Sequence, residues 1–306
     1  VPLRTDVGGG GPTRDPRRSM AEPLHGSASA PSCSIRHRST RHVVARVGPR
    51  APSCVGRELP LDWERASSVE GERTMRQDAK RSAPAVARNR EPILAVLRDV
   101  LPATGTFLEI ASGTGEHCVF FAQHLPQLRF LPSDLGDEQL ASIEAWRRHA
   151  RLDHVLPPLR IDVTQEDWFR DAAGAFAQDD ELGRGLVDVV FCANMIHIAP
   201  PAALTGLVRG AARHLRPGGL LITYGPYKMG GRHTAPSNEE FERWLHSLDP
   251  SYGVRDLEEL VARGAEVGLH HERTFPMPAN NFTIVFRRAS AASLEPTSPR
   301  APTRGD

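Results

Sequence analysis

The sequence has almost no lysine, little net charge and no long apolar run, and each absence excludes a class of function. Lys80 and Lys228 are the only lysines, and the formal net charge of the 306 residues is +1. Nucleic-acid binding generally requires an excess of basic residues, which the chain as a whole does not have. No apolar stretch reaches the length of about 20 residues that a membrane-spanning helix needs. We therefore expect neither a nucleic-acid partner nor a membrane partner.

Cysteine is also sparse, and no Cys-x-x-Cys pair occurs. The four cysteines are Cys33, Cys54, Cys118 and Cys192. Without paired spacing, the sequence predicts neither a zinc site nor a disulfide framework, and the histidines show no metal-ligand spacing either. The simplest expectation is a protein of a reducing compartment, the cytoplasm, with no bound metal.

Composition divides the chain into three parts. Residues 1–74 are rich in glycine, proline, serine and arginine and have few large apolar residues. Such a segment cannot bury enough apolar surface to offset the entropy lost on ordering, so we expect a disordered N-terminal arm. Met75 stands before the first periodic region and is a candidate start, which leaves open that the arm is not native to the protein. Residues 75–288 are predicted to form one folded domain, and residues 289–306 a disordered tail.

The most informative motif joins an apolar strand to a glycine turn. Residues 107–110 are apolar apart from Glu109, and Gly113-Thr114-Gly115 precedes a helical stretch at 116–125. A strand, a glycine loop and a helix in this order open the nucleotide-binding type of α/β sheet. Glycine is needed because the backbone turns sharply and approaches a ligand where a Cβ would collide.

The surroundings of this loop favour one ligand over another. A dinucleotide fingerprint requires a third glycine three residues after Gly115, and the chain has Cys118 there. Glu109 places a carboxylate where a cation would be favoured over a pyrophosphate. S-adenosylmethionine carries an ammonium and a sulfonium and no phosphate, so it is the predicted cofactor. A nicotinamide-dependent oxidoreductase is the alternative.

Alternating strand and helix patterns predict an α/β fold with an open, mostly parallel sheet. Five parallel strands are expected, at 107–110, 128–132, 159–163, 186–192 and 220–224. Two more strand-like runs, 269–275 and 281–286, are separated by a short link, 276–280. Such a link implies an antiparallel hairpin, because a parallel crossover needs about a dozen residues. The prediction is a seven-stranded sheet with helices on both faces.

Apolar residues at helical spacing predict the connecting helices. Pro92 is expected in the first turn of the helix before the first strand, and Arg216-Pro217-Gly218-Gly219 is expected to end the helix before the fifth strand. Ser237-Asn238-Glu239-Glu240 has the pattern of a capping box. The helix after it is predicted to bury a stripe formed by Phe241, Trp244, Leu245 and Leu248.

Two sets of motifs carry a family resemblance. The first set is Leu108 to Gly115, Asp134 after the second strand, Asp162 after the third, and Leu215 to Gly219 before the fifth. The second set is Arg88-Asn89-Arg90-Glu91-Pro92-Ile93, Ala111-Ser112-Gly113-Thr114-Gly115-Glu116-His117, Pro132-Ser133-Asp134, Ile222-Thr223-Tyr224-Gly225-Pro226-Tyr227 and Met277-Pro278-Ala279-Asn280-Asn281. The first set resembles class I S-adenosylmethionine-dependent methyltransferases over roughly residues 82–288, and the second resembles their DUF938 family (methyltransferase-like protein 26 type). The resemblance implies a Rossmann-like class I methyltransferase fold and its cofactor, and it leaves the acceptor open.

The glycine loop supplies the first candidate cofactor ligands. Glu109 would hold the methionine end of the cofactor, either directly or through the loop. The loop residues that we expect to contact the cofactor are Ala111, Ser112, Gly113 and Gly115. The alternative for Glu109 is an acid at a strand end that accepts hydrogen bonds from loop amides.

Further candidates follow the second and third strands. Asp134 would accept hydrogen bonds from both ribose hydroxyls, or else cap the next helix. Asp162 would bond the adenine amine, with Val163 beside the ring, or else cap a local turn.

Two other pairs of residues are expected near the cofactor. Asn194 and Met195 follow the fourth strand, where ligands bind in open sheets, and would line the methionine half of the site. Arg88 and Asn89 would precede the first helix and fold over the cofactor as a lid, or else form a solvated helix start.

Three side chains are candidates for catalysis. His197 could act as a general base or could be a hydrogen-bonded structural group. Tyr224 and Tyr227 could position an acceptor or simply pack. The chain lacks the Asn-Pro-Pro-aromatic motif of enzymes that methylate nucleic-acid amines, since Ala193-Asn194-Met195-Ile196-His197 stands there. The sequence thus predicts methyl transfer to a small-molecule or protein acceptor; a cofactor-binding scaffold without activity is the alternative.

Overall fold

The computed structural model describes residues 79–170 and 176–290, and all statements on structure concern these residues. They belong to one compact unit of the chain, Leu59–Asp306. The predicted N-terminal arm with Met75, and the predicted tail beyond Ser290, lie outside the described residues.

Ten strands occur in the described ranges. They are β1 (Gly105–Ile110), β2 (Leu128–Asp134), β3 (Leu159–Arg160), β4 (Val187–Ala193), β5 (Leu215–Gly225), β6 (Tyr227–Met229), β7 (Arg232–His233), β8 (Arg255–Asp256), β9 (Leu269–Met277) and β10 (Asn281–Arg288). Seven form a sheet in the order β3-β2-β1-β4-β5-β10-β9, and β7-β6-β8 form a small second sheet that the sequence did not predict. In the large sheet β1 to β5 pair in parallel, whereas β10 is antiparallel to both neighbours. The predicted open sheet with an antiparallel terminal hairpin is confirmed.

Six α-helices connect these strands within the described ranges. They are α1 (Pro84–Val100), α2 (Glu116–His124), α3 (Asp137–Ala150), α4 (Pro201–His214), α5 (Pro236–Leu248) and α6 (Leu257–Glu266). Short 3₁₀ turns occur at Leu182–Arg184, Met195–His197 and Pro278–Asn280. None of the described helices is both long enough and apolar enough to cross a bilayer.

Side chains of the central strands alternate between two cores, one on each face of the sheet. Phe107 of β1 and Phe191 of β4 belong to the core with α1 and α2, and their ring centroids are 5.6 Å apart. Leu108 and Val190 belong to the opposite core, together with Leu207 of α4. All five side chains are fully buried. Burial on both faces explains why these strands are nearly continuous apolar runs in the sequence.

The start of α1 differs from the prediction. Pro84 occupies the first turn of the helix, and Pro92 lies in its interior. Pro92 has no N–H, so the carbonyl of Arg88 lacks its helical hydrogen-bond donor. The prediction that Arg88 and Asn89 precede the helix is wrong, because both residues lie within α1.

The capping box and the buried stripe predicted for α5 are also wrong. The helix begins at Pro236 with Ala235 as its N-cap, and no side chain accepts a capping hydrogen bond. Of the predicted stripe only Leu245 is buried, whereas Trp244 and Leu248 are 53% and 58% exposed. The apolar face of α5 therefore covers little of the core.

Two strand boundaries differ as well. The third strand is limited to Leu159–Arg160. The glycines of Arg216-Pro217-Gly218-Gly219 lie inside β5, where pairing with β4 shifts from Val187↔Leu215 to Val189↔Leu220. They form an irregularity in the strand ladder, and the preceding helix ends at His214 without them.

Candidate cofactor and acceptor sites

The carboxyl ends of the parallel strands bring most of the predicted ligands to one edge of the sheet. The glycine loop after β1 has an unusual backbone, with positive φ angles at Ala111 (+54°), Gly113 (+59°) and Gly115 (+90°). A non-glycine residue in this region is uncommon and is often found at functional sites. The N–H of Ser112 donates to the carbonyl of Ser133 at 2.7 Å, which holds the loop against the end of β2.

The two glycines of the loop have different roles. A Cβ on Gly115 would lie 2.8 Å from the Cα of Ile143, so this glycine allows close packing against α3. A Cβ on Gly113 would meet no heavy atom within 4 Å. Gly113 is therefore the loop position whose backbone faces open space, as a ligand-binding glycine should.

Glu109 lies behind this loop with its carboxylate incompletely paired. The side chain is 2% exposed, and its Oε2 has no hydrogen-bond partner among the described residues. Burial raises the pKa of Glu109 to about 8; a hydrogen bond from Ser112 lowers it and the nearby Asp134 raises it slightly. A buried polar atom without a partner is costly, and a cation bound at the loop would pair with it. These features fit an ammonium group, which would pair with the ionised form of this carboxyl, better than a pyrophosphate, which would not.

Asp134 ties the glycine loop to the end of β2. Its Oδ2 accepts from the N–H of Gly113 at 2.9 Å, and its Oδ1 accepts from the N–H groups of Leu135 (2.8 Å) and Gly136 (3.2 Å). The N-cap of α3 is Gly136, and no side chain caps that helix. The alternative that Asp134 is a helix cap is therefore not observed, and the carboxylate retains capacity to accept from a ribose hydroxyl.

We expect Asp134→Ala to weaken S-adenosylmethionine and S-adenosylhomocysteine by similar factors, because both carry the same ribose. Loss of a hydrogen bond to a charged group costs roughly 1.5–3 kcal/mol, which corresponds to about a ten- to hundredfold loss in affinity. Titration calorimetry measures both affinities. Asp137→Ala, which removes an exposed carboxylate from the first residue of α3, is the control. Unchanged affinities in Asp134→Ala would contradict a ribose role.

The Asp162 carboxylate caps a local turn, which is the alternative role predicted for it from the sequence. It accepts from the N–H and the hydroxyl of Thr164 at 2.9 and 2.7 Å. Together with Leu135 it also borders a shallow cavity of about 250 Å³. Val163 is buried in the core, and its carbonyl accepts from the indole N–H of Trp168 at 3.4 Å. The turn is thus observed, and contact with adenine stays a prediction for both residues.

A larger cavity of about 700 Å³ lies at the ends of β4 and β5. Four predicted site residues line it: Arg88, Asn89, Asn194 and Tyr224. The eleven other lining residues were not predicted as site residues, and the polar or aromatic ones among them are Ser237, Asn238, Phe241, Trp244, Asn280 and Asn281. These six come from α5, from the turn between β9 and β10, and from the first residue of β10. Asn238 joins α5 to the turn, since its Nδ2 donates to the carbonyl of Asn280 at 3.0 Å.

Part of the wall of this larger cavity has a recognisable pattern in the sequence. The motif Met277 to Asn281 supports the family resemblance, but nothing in the motif itself indicates a role. The aromatic stripe of α5 has the spacing of a core-facing helix, and the same spacing suits the wall of a cavity.

Asn89 and Tyr224 line the same cavity, and Asn89 is held from behind by His117. The Nε2 of His117 lies 2.8 Å from the Oδ1 of Asn89. Burial, and to a lesser extent the charge of Arg90, lowers the pKa of His117 to about 4. His117 is therefore neutral at pH 7, and because the Asn89 oxygen can only accept, Nε2 carries the proton.

The structure places His197 and Tyr227 away from both cavities. Both side chains are fully buried. The Nδ1 of His197 accepts from the N–H of Arg255 at 3.3 Å, and its Nε2 faces Gly225, on which a Cβ would lie 2.5 Å away. Burial, with the Arg255 charge, lowers the pKa of His197 to about 3. The hydroxyl of Tyr227 donates to Thr223 at 2.8 Å, and burial raises its pKa.

Neither His197 nor Tyr227 lines any of the cavities of the described residues. The geometry therefore gives no support to a catalytic role for them, and that role stays a prediction. Tyr224 has such support, because it lines the larger cavity.

Asn194 occupies the turn after β4 in a left-handed conformation, with φ +62°. Its N–H donates to the carbonyl of Tyr224 at 2.8 Å, which ties the ends of β4 and β5 together at the cavity. Met195 is half-buried and packs against the core. Asn194 thus lies where the sequence predicts it, whereas the side chain of Met195 points into the protein.

Metal chemistry has no support in the described ranges. No group of three His, Cys, Asp or Glu side chains is arranged there to hold a metal ion. Cys118 and Cys192 are free and buried.

The strand order, with β10 inserted antiparallel between β5 and β9, and the glycine loop after β1 define the fold of the class I S-adenosylmethionine-dependent methyltransferases. The chain belongs to the DUF938 family, described as a protein of unknown function, whose model matches residues 80–288.

Solved structures of methyltransferases have the same fold. An O-methyltransferase family protein from Burkholderia thailandensis is 17% identical, with a TM-score of 0.55 over 68% of this chain and 58% of that chain. An O-methyltransferase family 2 protein from Planctomyces limnophilus DSM 3776, in complex with apigenin, is 19% identical, with a TM-score of 0.52 over 67% and 60%. PigF with SAH is 19% identical, with a TM-score of 0.51 over 66% and 56%. The chain therefore spans less than two thirds of each of these proteins, and the likeness concerns the fold.

Proposed function

We propose that the protein transfers the methyl group of S-adenosylmethionine to a small-molecule or protein acceptor. The observation that carries the proposal is the unpaired, buried oxygen of Glu109 behind the open face of Gly113. The Glu109 oxygen needs a cation as its partner, and the open backbone at Gly113 allows a ligand to approach closely. The structure of PigF with SAH supports a cofactor of this type on the shared fold.

Different residues of the chain would bind different parts of the cofactor. Glu109 pairs with the amino group, Gly113 offers its open backbone, and Asp134 accepts from the ribose. Asp162 and Val163 are the candidates for holding adenine, and Asn194 is the candidate for the methionine half. When bound, S-adenosylmethionine supplies an electrophilic methyl group on a sulfonium, which is a good leaving group.

The larger cavity is the proposed acceptor site. It meets the cofactor edge at Asn194, and it is lined by Tyr224. Holding an acceptor there in line with the methyl group supplies much of the rate, because alignment replaces a bimolecular encounter. A third cavity, of about 660 Å³, is lined by α4 residues such as Arg209 and Arg213. Among the predicted site residues it contacts only Val163, so we do not assign the acceptor to it.

Two alternatives have different support. A nicotinamide oxidoreductase is disfavoured by the antiparallel β10 and by the carboxylate of Glu109 at the loop. A cofactor-binding scaffold is favoured by one observation, which is that no side chain lining the larger cavity is an obvious base at neutral pH.

Calorimetry with S-adenosylmethionine, S-adenosylhomocysteine and NAD tests the cofactor. We expect the first two to bind one per chain and NAD to give no measurable heat. A methyl-release assay over fractionated metabolite and protein extracts then tests transfer, with Gly113→Val as the inactive control. Binding of NAD in place of S-adenosylmethionine would overturn the proposal. Cofactor binding without transfer to any fraction would favour the scaffold.

A further inference from the structure

The larger cavity has one charged lining residue, and its charge is positive. Arg88 is the only charged residue among the described lining residues, which include no Asp, Glu, His or Lys. Arg88 is exposed and forms no ion pair with any described residue. A cationic acceptor would find no carboxylate here, whereas an anionic acceptor would find a guanidinium that has no ion-pair partner among the described residues.

The hydrogen bond behind the cavity limits what Asn89 can offer to Tyr224. The Oδ1 of Asn89 accepts from the neutral His117, so only its amide N–H₂ remains for other partners. The phenolic O–H of Tyr224 donates to no described residue, which leaves it available to an anion in the cavity. Burial raises the pKa of Tyr224, so the phenol stays protonated at pH 7. Tyr224 is thus arranged as a donor to an acceptor anion and cannot serve as a base.

The outer wall of the cavity is aromatic. Phe241 and Trp244 are stacked, with ring centroids 5.7 Å apart and an interplanar angle of 23°. Trp244 is 53% exposed, and Ile198 beside the cavity is 47% exposed. Large exposed apolar side chains at a cavity mark a binding surface, and flat rings favour a planar aromatic ligand.

We propose that the acceptor is a small aromatic compound whose nucleophile is already an anion at neutral pH, an aryl thiol or an aryl carboxylic acid. Arg88 and the hydroxyl of Tyr224 bind the anion, and Phe241 and Trp244 hold the ring. This inference rests on the proposed methyl transfer.

The chemical step then needs no base from the protein. A lone pair of the thiolate sulfur or carboxylate oxygen forms the bond to the methyl carbon. The carbon–sulfur bond of the sulfonium breaks, and its electron pair stays on that sulfur. The products are a methyl thioether or a methyl ester and neutral S-adenosylhomocysteine, and no proton has to be removed. The cavity without a base is thereby explained.

Four probes that share one ring test the inference: thiophenol, benzoate, phenol and benzylamine. Their binding is measured by calorimetry on the full chain saturated with S-adenosylhomocysteine, and their methylation is measured as initial rates at pH 7. We expect thiophenol or benzoate to bind and to be methylated, and benzylamine to do neither. Phenol should react slowly, with a rate that rises about tenfold per pH unit below its pKa near 10.

Variants of two arginines in α1 distinguish a specific anion site at Arg88 from a general effect of removing positive charge. Arg88→Met should weaken binding of benzoate and thiophenol by about tenfold or more, because it removes a charge-assisted hydrogen bond, and should leave S-adenosylhomocysteine affinity unchanged. Arg98→Met, an exposed arginine ten residues further along the same helix, is the matched control and should change neither. Tyr224→Phe should weaken both anions and leave the cofactor bound.

These experiments distinguish a wrong acceptor class from a wrong proposed function. Absence of S-adenosylhomocysteine binding in the folded protein would refute methyl transfer as such. Cofactor binding with preference for benzylamine, with phenol as the best acceptor at pH 7, or with no effect of Arg88→Met on either anion, would overturn this inference alone.

Discussion

Substitution of Gly113 by valine should lower the affinity for S-adenosylmethionine and S-adenosylhomocysteine by at least about a hundredfold and leave the protein folded. The φ angle of +59° disfavours a β-branched residue, at a cost of order 1–3 kcal/mol. The larger effect is steric: apart from the chain neighbours, no described residue has a heavy atom within 4 Å of the new Cβ, so the side chain would collide with the ligand that the loop admits. Calorimetry and circular dichroism check the two parts of this expectation.

The chain provides a closely matched control in Gly230, in the turn between β6 and β7. Its φ angle is +57°, and a Cβ there would also meet nothing within 4 Å. Gly230→Val therefore introduces the same backbone strain in an exposed turn far along the chain from the loop. It should lose comparable thermal stability and keep full cofactor affinity. Equal cofactor affinities in the two variants would rule out Gly113 as the ligand-facing glycine.

Cofactor binding at pH 7 should release close to one proton, and Glu109→Gln should abolish this release. With a pKa of about 8, the Glu109 carboxyl is mostly protonated in the ligand-free protein at pH 7, and pairing with an ammonium requires the ionised form. Affinity should therefore rise as pH increases toward 8. Glu109→Gln should bind roughly ten- to hundredfold more weakly, as expected for a lost charge-assisted hydrogen bond. Calorimetry in buffers of different ionisation enthalpy counts the protons.

The same group predicts a pH dependence of stability in the absence of ligand. The carboxyl loses its proton near pH 4.5 when unfolded and near pH 8 when folded. Between these values the folded state binds more protons, so stability should fall as pH rises through this window. Glu109→Gln should flatten this part of the unfolding profile, whereas Glu116→Gln, at the start of α2, should not. A profile that is flat in the unsubstituted protein would contradict the raised pKa.

The parts of the fold that depend on local pattern could be predicted from the sequence. The β4 strand is a nearly continuous apolar run because both of its faces are buried, and the short link before Asn281 permits only a hairpin. The start of α5 could not be read from Ser237-Asn238-Glu239-Glu240. Pro236 is compatible with the first helical position, so the helix starts before the serine that a capping box would place at its N-cap.

The candidate site also has a part that local sequence predicts and a part that depends on contacts distant in sequence. Glu109, Gly113 and Asp134 lie in one strand–loop unit and its neighbour, so their proximity follows from local sequence. The depth of His197 does not, because it depends on Arg255 and Gly225, which reach it only in the folded chain. Likewise, an amphipathic helix has the same pattern whether its apolar face meets a core or a cavity. The exposure of Trp244 therefore required the structure.

The insertion of β10 between β5 and β9 has a consequence for the order of assembly. During synthesis β1 to β5 emerge first and β9 follows, and until β10 is made both β5 and β9 present unpaired edges to solvent. The turn Pro278–Asn280 forms one wall of the larger cavity and contacts α5 through Asn238. We expect it to take this place only when that last pairing occurs. A ribosome-bound chain that ends before Asn281 can therefore form the glycine loop, but it is at its greatest risk of edge-to-edge aggregation and has an incomplete acceptor cavity.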